Sequence, residues 1–220
     1  MNLDHIAERR LGVVGAGKLG TTISRAALEV GYEVAISGSG SPERIALIVD
    51  VLAPGAHVMT SVDVVARADI IVLAVPAHRF RELSRDLFHG KILIDAMNYW
   101  EPIDGFNDEF AHAPHGTSAL VQEWFSSARV VKAFNQLGYH EIEEMRRPSG
   151  DANRVAIAVA GNDETAVSTV MRLVDELGFD PLPVGSLEDG VALQPEGFAF
   201  GVALTASELY GLLWPALKRA

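Results

Sequence analysis

Short apolar runs alternate with amphipathic stretches along the whole chain of 220 residues. Apolar runs bounded by turn residues are typical of strands buried in a parallel sheet, whereas apolar residues spaced three and four apart are typical of helices packed on it. This alternation predicts an α/β fold with a doubly wound, mostly parallel sheet and helices on both faces. The predicted strands are Leu11–Val14, Glu33–Ser37, His57–Thr60, Ile70–Ala74, Ile92–Asp95, Val130–Ala133, Val155–Ala160 and Pro181–Val184.

Helices are predicted in the intervals between these strands. The first helix ends near Gly31, and the second begins at Ser41-Pro42-Glu43, where a cap residue is followed by proline. Thr205 to Glu208 has the spacing of a capping box, which predicts a helix that continues to Leu213. Further helices are predicted over Val62–Arg67, Arg79–Phe88, Ser118–Phe125, Tyr139–Arg146 and Glu164–Leu177.

A glycine-rich loop follows the first strand, and the first helix begins inside it. In a G-x-G-x-x-G motif at such a junction, the first glycine allows a tight turn, the second lets the backbone approach a pyrophosphate, and the third lets helix and strand pack closely. The unpaired N–H groups and the positive end of the helix face the phosphates. The motif predicts a Rossmann-type dinucleotide site, against the alternative of a turn without ligand. The cofactor-binding residues predicted from it are Gly15, Ala16, Gly17, Lys18, Leu19 and Gly20.

The turn after the second strand favours NADP(H) over NAD(H). In NAD-binding folds a carboxylate about 20 residues beyond the motif accepts hydrogen bonds from the ribose. Here that position has hydroxyl residues and glycines, so a 2′-phosphate would meet no repulsion. Ser37, Ser39 and Ser41 are predicted to bind the phosphate, with Arg44 as the cation. A serine–glycine turn without a role in cofactor binding is the alternative.

The fourth strand ends in a loop that we expect beside the nicotinamide or its ribose, because ligands of open parallel sheets gather at the carboxyl ends of strands. The backbone groups of Ala74 and Val75 are predicted to contact the cofactor, and Pro76 makes the loop rigid. His78 follows this loop. It is a candidate proton donor, although a residue that simply begins the next helix would have the same position.

The fifth and sixth strands lead to two asparagines at the same edge of the sheet. Asn98 and Asn135, with Ala133, are predicted to contact the cofactor. The asparagine side chains could orient a carboxamide or a substrate ring, or could only cap their own loops. Tyr99 or Trp100 could stack on the acceptor or anchor the loop to the core.

Composition and charge exclude several classes of function. The chain is 49% hydrophobic and 21% charged, with a formal net charge of -11 and no block of lysine and arginine, so we expect no nucleic-acid partner. It has no cysteine, which excludes disulfides and thiolate catalysis. His112 and His115 lack a third ligand, so no metal is expected. The polar segment Met1–Arg10 and the lack of a long apolar run predict no membrane association and a cytoplasmic protein.

The chain is predicted to be one NAD(P)-binding Rossmann domain over residues 1–220, in which residues from about 134 to 220 form a small C-terminal subdomain on the substrate side. Two long irregular segments, residues 98–116 and 185–201, are candidate functional loops. The C-terminal region, with the segments Phe198–Leu204 and Leu209–Trp214, is unusually apolar for a chain end. It predicts a homodimer contact, with packing against the same chain as the alternative.

With these residues in place, the chain resembles the NADP-dependent oxidoreductases of deazaflavin coenzyme F-420. The segments that carry the resemblance are Gly15–Gly20, the serine-rich turn before Pro42, Ala68–Pro76, Val130–Asn135, Val159–Asp163 and Leu173–Phe179. The resemblance implies direct hydride transfer between the nicotinamide and a deazaflavin or flavin-like ring in a dimeric enzyme. It also implies that Ser37 and Ser39 lie in the 2′-phosphate region and that the Pro76 loop lies near the nicotinamide.

The sequence departs from this family at three places. Gly38 and Gly40 occupy positions where family members often have arginine or lysine, and Asn135 falls where the archaeal enzymes have histidine. The segment from Leu193 to Gly201 also differs from the C-terminal sequence on the deazaflavin side of the family's enzymes.

The function expected from these observations is reduction by NADPH of a small-molecule redox acceptor, coenzyme F-420 or a flavin. Hydride transfer between flat rings needs proximity and orientation rather than a protein nucleophile. An NADPH-dependent imine or carbonyl reductase and a non-enzymatic NADP(H)-sensing protein are the alternatives. Candidate residues for the acceptor side are His78, Asn98, Tyr99, Trp100, Asn135, Gln194 and Phe198.

Overall fold

A computed structural model describes residues 9–217, and residues 1–8 and 218–220 lie outside the described part. The expectation drawn from the polar N-terminal segment therefore falls almost wholly outside it. The described residues form a sheet of eight strands in the order β3-β2-β1-β4-β5-β6-β7-β8. The strands are β1 Arg10–Val14, β2 Glu33–Ser37, β3 His57–Val58, β4 Ile70–Leu73, β5 Ile92–Asp95, β6 Arg129–Lys132, β7 Ala156–Gly161 and β8 Asp180–Pro183.

The first six strands are parallel, and their order is that of a doubly wound dinucleotide-binding fold. The predicted α/β fold with a mostly parallel sheet is confirmed. The register aligns the carboxyl ends of five strands in one row of Cα partners: Ser37, Val14, Leu73, Asp95 and Lys132. The loops that follow these residues consequently meet along one edge, and the strand order reverses between β1 and β4.

The seventh strand runs antiparallel to β6, which the repeated strand–helix pattern did not predict. The connection from β6 to β7 contains one helix, Tyr139–Glu144, whose six residues span about 9 Å. The pairing joins Val131 to Gly161 and Lys132 to Ala160. Strand β7 therefore begins beyond the carboxyl end of β6, and the unit of β7 and β8 extends the sheet on the side of the cofactor loops.

Nine α-helices are present in the described part of the chain. The first ends at Glu29, and Gly31 follows in the left-handed conformation with φ of 90°, as its residue type predicted. The helices are α1 Lys18–Glu29, α2 Glu43–Leu52, α3 Ser61–Arg67, α4 Glu101–Asp104, α5 Asp108–Ala111, α6 Thr117–Trp124, α7 Tyr139–Glu144, α8 Glu164–Glu176 and α9 Ala206–Leu217.

Two predicted elements are shorter than expected. The helix predicted over Arg79–Phe88 is a 3-10 helix, Ala77–Glu82, because Leu83 is extended and its carbonyl accepts a hydrogen bond from the Trp124 indole at 3.2 Å. The strand predicted over His57–Thr60 ends at Val58, because Thr60 becomes the N-cap of α3. A second 3-10 helix covers Asp189–Leu193.

Two buried apolar clusters cover the two faces of the sheet, and a third lies entirely within residues 156–213. In α9, Leu209 and Leu213 are buried in this third cluster, whereas Tyr210, Leu212 and Trp214 are exposed. One face of the helix thus packs on its own chain. The predicted subdomain and the predicted dimer contact both stay predictions. No helix in the part of the chain that the structure describes is long and apolar enough to cross a membrane.

Candidate functional site

The glycine loop joins β1 to α1, and at two of its positions a side chain would not fit. Gly15 has φ of 124°, and a Cβ atom there would lie 2.3 Å from the Ala74 oxygen. A Cβ atom at Gly20 would lie 1.8 Å from the Gly15 oxygen. A Cβ atom at Gly17 would meet nothing within 4 Å. Gly15 and Gly20 are therefore required by packing, whereas Gly17 faces open space that a ligand could occupy.

A pocket of about 330 Å³ lies at the point where the strand order reverses. Such a point is the usual ligand site of open parallel sheets, because the loops on either side turn away from each other. The pocket brings together the glycine loop, the turn after β2 and the Pro76 loop after β4. Its lining is Val14, Gly15, Ala16, Gly17, Gly38, Ser39, Ile45, Ser61, Ala74, Val75, Pro76, Arg79, Glu82 and Leu83.

The structure brings only some of the predicted cofactor residues to this pocket. Lys18, Leu19 and Gly20 are not part of its lining, and the Lys18 ammonium donates a hydrogen bond to the Tyr139 hydroxyl at 3.0 Å. Ala133 is buried in the core below the carboxyl edge. A contact of these residues with the cofactor stays a prediction.

Of the predicted phosphate-binding residues, Ser39 lines the pocket. Ser37 is 1% exposed, and its hydroxyl shares a hydrogen bond with the Ser61 hydroxyl at 3.0 Å. Ser41 and Arg44 are exposed beside the pocket and do not line it. Ser61 was missed from the sequence, since its proximity to Ser37 depends on how α3 packs against β2.

Two charged residues at the rim of the pocket were also missed. Arg79 and Glu82 face each other on the 3-10 helix Ala77–Glu82, with Nη2 of the arginine 2.6 Å from Oε2 of the glutamate. Hydrogen bonding between them raises the pKa of Arg79 and lowers that of Glu82. Both side chains are exposed, so the pair contributes little stability and can separate readily.

The two predicted asparagines meet at the carboxyl ends of β5 and β6. Asn98 Nδ2 donates to the Asn135 carbonyl oxygen at 2.8 Å, and Asn135 Nδ2 donates to the Leu193 carbonyl oxygen at 2.8 Å. Asn135 is 1% exposed, and among the described residues its Oδ1 has no hydrogen-bond partner. Phe134 before it has φ of 65°, an uncommon conformation for a residue with a side chain. The tertiary structure thus holds Asn135 in place at a local conformational cost.

A buried polar chain lies directly behind these asparagines. Lys132 Nζ donates to the Ser118 hydroxyl at 2.9 Å, and that hydroxyl donates to Asp95 Oδ2 at 2.6 Å. The other carboxylate oxygen of Asp95 accepts the Met97 backbone N–H at 3.0 Å. Burial lowers the pKa of Lys132, and the Asp95 carboxylate opposes that shift. This series of hydrogen bonds therefore connects β5, β6 and α6 to the loop that carries Asn98.

His78 is bound by a carboxylate that the sequence analysis did not identify. Asp104 Oδ1 lies 2.7 Å from His78 Nδ1 and also accepts the His78 backbone N–H at 3.2 Å. Asp104 Oδ2 accepts the backbone N–H of Trp100 at 2.7 Å. The two residues are 26 positions apart in the chain, so no local signal pointed to the pair.

A second pocket of about 280 Å³ lies beyond the carboxyl ends of β5 and β6. Of the predicted acceptor residues, Tyr99, Trp100 and Gln194 line it, whereas His78, Asn98, Asn135 and Phe198 do not. Its full lining is Tyr99, Trp100, Glu101, Pro102, Phe110, Ala111, Thr117, Gln194, Pro195 and Glu196.

Tyr99 anchors the long loop of residues 98–116. Its ring stacks on Phe110 at 5.4 Å, and its hydroxyl donates to the Gly105 carbonyl oxygen and accepts the Asn107 N–H. The hydroxyl is thus satisfied within the loop, and the ring supplies one wall of the second pocket.

His112 and His115 each face a separate carboxylate. His112 Nδ1 lies 3.0 Å from Asp108, and His115 Nδ1 lies 3.2 Å from Glu188. Within residues 9–217 there is no group of three or more histidine, aspartate and glutamate side chains that could hold a metal ion.

The sheet order and the pocket define a Rossmann-type dinucleotide-binding fold. Residues 10–99 match the model of the family described as "NADP oxidoreductase coenzyme F420-dependent". The resemblance expected from the sequence is confirmed over these residues, which are similar to that family of NADP-dependent oxidoreductases.

Two curated proteins are similar to parts of this chain. The rat (Rattus norvegicus) protein named Metalloreductase STEAP3 is 28% identical over 180 residues, which make up 81% of this chain and 34% of that protein. This chain therefore spans about a third of the length of that curated relative. Another relative, the Escherichia coli (strain K12) protein YjhV, is 41% identical over 54 residues, 24% of this chain and 39% of that protein.

Two crystal structures share the fold. A proposed F420-dependent NADP-reductase from Arthrobacter sp. FB24 has a TM-score of 0.70 and 23% identity, and the match covers 94% of both chains. Protein SMa0349 of Sinorhizobium meliloti has a TM-score of 0.78 and 22% identity over 89% of this chain and 95% of that one. At these identities the likeness shows the fold alone.

Proposed function

We propose that this protein transfers a hydride directly between NADPH and a planar acceptor, either coenzyme F-420 or a flavin-like ring. The observation that carries the proposal is the pocket at the reversal of strand order. Gly17 leaves open space there for a pyrophosphate, and the turn from Ser37 to Ser41 has no carboxylate to repel a 2′-phosphate. NADP(H) needs both the open space at Gly17 and a turn without a carboxylate, whereas NAD(H) needs only the open space.

The second pocket supports a flat acceptor. Tyr99, Trp100 and Phe110 contribute aromatic surface to it, and aromatic rings favour stacked or edge-on contact with another ring. Transfer of a hydride between two adjacent rings needs their positions and faces to be right, and the cofactors themselves supply the chemistry. The family match extends through Tyr99, the first of these aromatic residues.

A second candidate function is reduction of an imine or carbonyl. Glu101 and Glu196 both line the second pocket, and carboxylates beside aromatic rings favour a cationic substrate such as an iminium ion. Coenzyme F-420 is anionic and would be disfavoured by the same two carboxylates. A cyclic imine therefore belongs among the acceptors that are tested.

We also propose that the protein acts as a homodimer in the cytoplasm, without a nucleic-acid partner. The support for the dimer is an exposed apolar face of α9 formed by Tyr210 and Trp214, which lie about one turn apart. An exposed apolar patch on a helix is stabilised when a second copy covers it. Sedimentation equilibrium at micromolar concentration tests this, and a monomer would contradict it.

The experiment that tests the reaction is anaerobic oxidation of NADPH, followed by loss of the reduced nicotinamide absorbance. Coenzyme F-420, FMN, FAD, a quinone and a cyclic imine are offered separately, with NADH as the control donor. Because the rat relative is named a metalloreductase, FAD with a ferric chelate is a further arm. Selective turnover of NADPH with F-420 or a flavin supports the proposal. Turnover with the imine alone supports the second candidate, and tight NADPH binding without turnover indicates a different acceptor or a sensing protein.

A further inference from the structure

We propose that Gln194 selects the acceptor in the second pocket, by donating a hydrogen bond from its side-chain amide to a ring carbonyl. This inference rests on the proposed function and deepens it, since it names the chemical class of the acceptor. The class is a flat heterocycle in which a carbonyl adjoins an N–H group, as in flavin and deazaflavin rings. Gln194 lines the second pocket, and its role is to select and orient the ring.

The contacts of Gln194 with Thr117 fix the orientation of the side-chain amide. Gln194 Oε1 accepts the Thr117 backbone N–H at 3.1 Å and the Thr117 hydroxyl at 3.2 Å. A backbone N–H can only donate, so the atom beside it is the amide oxygen, and the NH2 group is turned away from Thr117.

The NH2 group of Gln194 is available to a ligand. Within residues 9–217 it has no hydrogen-bond partner. The buried side-chain atoms without a partner belong to other residues, so this nitrogen is accessible. An amide nitrogen carries two hydrogens and accepts none, which makes it a donor only. Gln194 therefore offers an oriented donor in the pocket that it lines.

The oxygen of the same amide has a structural role. Thr117 begins α6, and the N-cap before it is Gly116, which has no side chain, so Gln194 Oε1 accepts a backbone N–H that the helix leaves free. A Cβ atom at Gly116 would lie 3.3 Å from this oxygen and 2.8 Å from Val191 Cγ2. The absence of a side chain at Gly116 thus lets Gln194 approach α6. Capping explains the oxygen and leaves the NH2 group without a role.

The backbone on both sides of Gln194 is also fixed. The Gly197 N–H donates to the Gln194 carbonyl oxygen at 2.8 Å and closes a tight turn. Glu196 within this turn has φ of 70°, which is uncommon for a residue with a side chain. Just before the turn, the Leu193 carbonyl oxygen accepts a hydrogen bond from the buried Asn135 amide at 2.8 Å. A donor that is held in place before a ligand arrives loses little freedom on binding.

The charged groups of the second pocket are both acceptors. The carboxylates of Glu101 and Glu196 belong to residues of its lining, and in the described part of the chain neither has an ion pair or a hydrogen bond. The stacked rings of Tyr99 and Phe110 supply an aromatic wall. A flat ring with both a carbonyl and an N–H group provides a partner for the Gln194 donor and for a carboxylate. A ring without a carbonyl leaves the donor unpaired, which weakens binding.

Two variants separate the capping role of Gln194 from its role as a donor. In Gln194→Glu an oxygen remains for the Thr117 N–H, and a carboxylate at the start of a helix is favourable, so thermal unfolding should stay as in wild type. The NH2 donor is then replaced by an oxygen that repels a ring carbonyl. Gln194→Met removes both groups, so it should lower stability and also remove the donor.

The binding test uses two flat probes of similar size. Lumiflavin has the carbonyl and N–H groups of a flavin, whereas acridine has no carbonyl, and both are uncharged at mildly alkaline pH. We expect both variants to weaken lumiflavin binding by about tenfold or more, followed by ring fluorescence, and to change acridine binding by less than about twofold. The matched control is Glu188→Gln, which alters a carboxylate outside the pocket lining and should change neither affinity.

The wild-type protein provides a test that needs no variant. Nitrogen-15 NMR follows the exchange of the Gln194 side-chain amide hydrogens with water. We expect saturating lumiflavin to slow the exchange of one of them, because that hydrogen becomes bonded to the ring, and acridine to slow neither. Unchanged exchange with lumiflavin, or equal weakening of both probes in Gln194→Glu, would overturn the inference.

Failure of the inference differs from failure of the proposed function. If wild type oxidises NADPH with a flavin and Gln194→Glu binds lumiflavin as wild type does, the inference is wrong and the proposed function stands. If lumiflavin binding depends on Gln194 but NADPH transfers no hydride to a flavin or to coenzyme F-420, the proposed function is wrong. The second pocket would then remain a site for a ring carbonyl.

Discussion

Asp95 and Lys132 face each other across the carboxyl ends of β5 and β6, with Oδ2 and Nζ 4.0 Å apart and both side chains 1% exposed. The Ser118 hydroxyl joins them, accepting from the lysine and donating to the aspartate. Asp95 also binds the Met97 backbone, so this buried pair holds the start of the loop that carries Asn98. The sequence predicted Lys132 only as part of a strand.

Replacement of one partner should destabilise the protein strongly. We expect Lys132→Met to lower the free energy of unfolding by about 3 kcal/mol, because Asp95 would remain buried without its cation. Urea unfolding followed by circular dichroism measures this. The double variant Lys132→Met/Asp95→Asn should recover part of the loss, since it leaves no buried charge. A double variant as unstable as the sum of the two single variants would contradict the coupling.

The same pair predicts a dependence of stability on pH. Because burial lowers the pKa of Lys132 in the folded protein, the unfolded chain binds more protons between that lowered pKa and about 10.4, the ordinary value. The contribution of Lys132 to stability is therefore fully present above about pH 10.4 and is lost as the pH falls through the folded pKa. We expect the difference in unfolding free energy between wild type and Lys132→Met to grow as the pH rises through this window. A constant difference would mean that Lys132 keeps its ordinary pKa.

Substitution of two glycines of the loop should have different effects, one on folding and the other on NADPH binding. Gly20→Ala should destabilise the fold, because its Cβ atom would lie 1.8 Å from the Gly15 oxygen. Gly17→Ala should fold normally, since its Cβ atom meets nothing, yet it should weaken NADPH binding by about 100-fold, or about 2.7 kcal/mol. Thermal unfolding and fluorescence titration measure the two effects. Normal NADPH affinity in Gly17→Ala would place the pyrophosphate elsewhere.

Ser39 should decide the preference for the 2′-phosphate. We expect Ser39→Asp to weaken NADPH binding by at least about tenfold, or about 1.4 kcal/mol, while NADH binding holds or improves, because the new carboxylate repels a phosphate and can bind a ribose. The matched control is Ser37→Ala. Ser37 lies two positions before Ser39, but it is buried and its hydroxyl shares a hydrogen bond with the Ser61 hydroxyl. Equal losses for NADPH and NADH in Ser39→Asp would indicate a steric effect only.

Arg79 should contribute to NADPH binding by leaving Glu82 for the cofactor. The pair is exposed and weak, so the guanidinium can turn toward a phosphate in the pocket it lines. We expect Arg79→Ala to weaken NADPH binding by about tenfold and NADH binding much less. Glu82→Gln should strengthen NADPH binding, because it removes a competitor for the arginine. If Arg79→Ala weakens both cofactors equally, the arginine contacts the shared part of the dinucleotide.

Much of the fold was predictable, because its signals are local. An apolar run that ends at a glycine loop and a glycine after α1 each specify backbone conformation within a few residues. These signals predicted β1, β2, α1 and the cofactor loop nearly to the residue. They failed for the segment after Pro76, where the contact of Leu83 with Trp124 opposes the helical pattern.

The site was predictable only where one loop forms it. The glycine loop needs no distant partner, so its sequence alone determined that a dinucleotide-binding turn would form. The tertiary structure decided three other features. They are the antiparallel pairing of β7 with β6, the Arg79–Glu82 pair at the rim of the cofactor pocket, and the buried Asp104 carboxylate beside His78. The physical reason is distance along the chain. Asp104 is 26 residues from His78, and Leu193 is 58 residues from Asn135, so only the packing of the sheet and its loops brings these groups into contact.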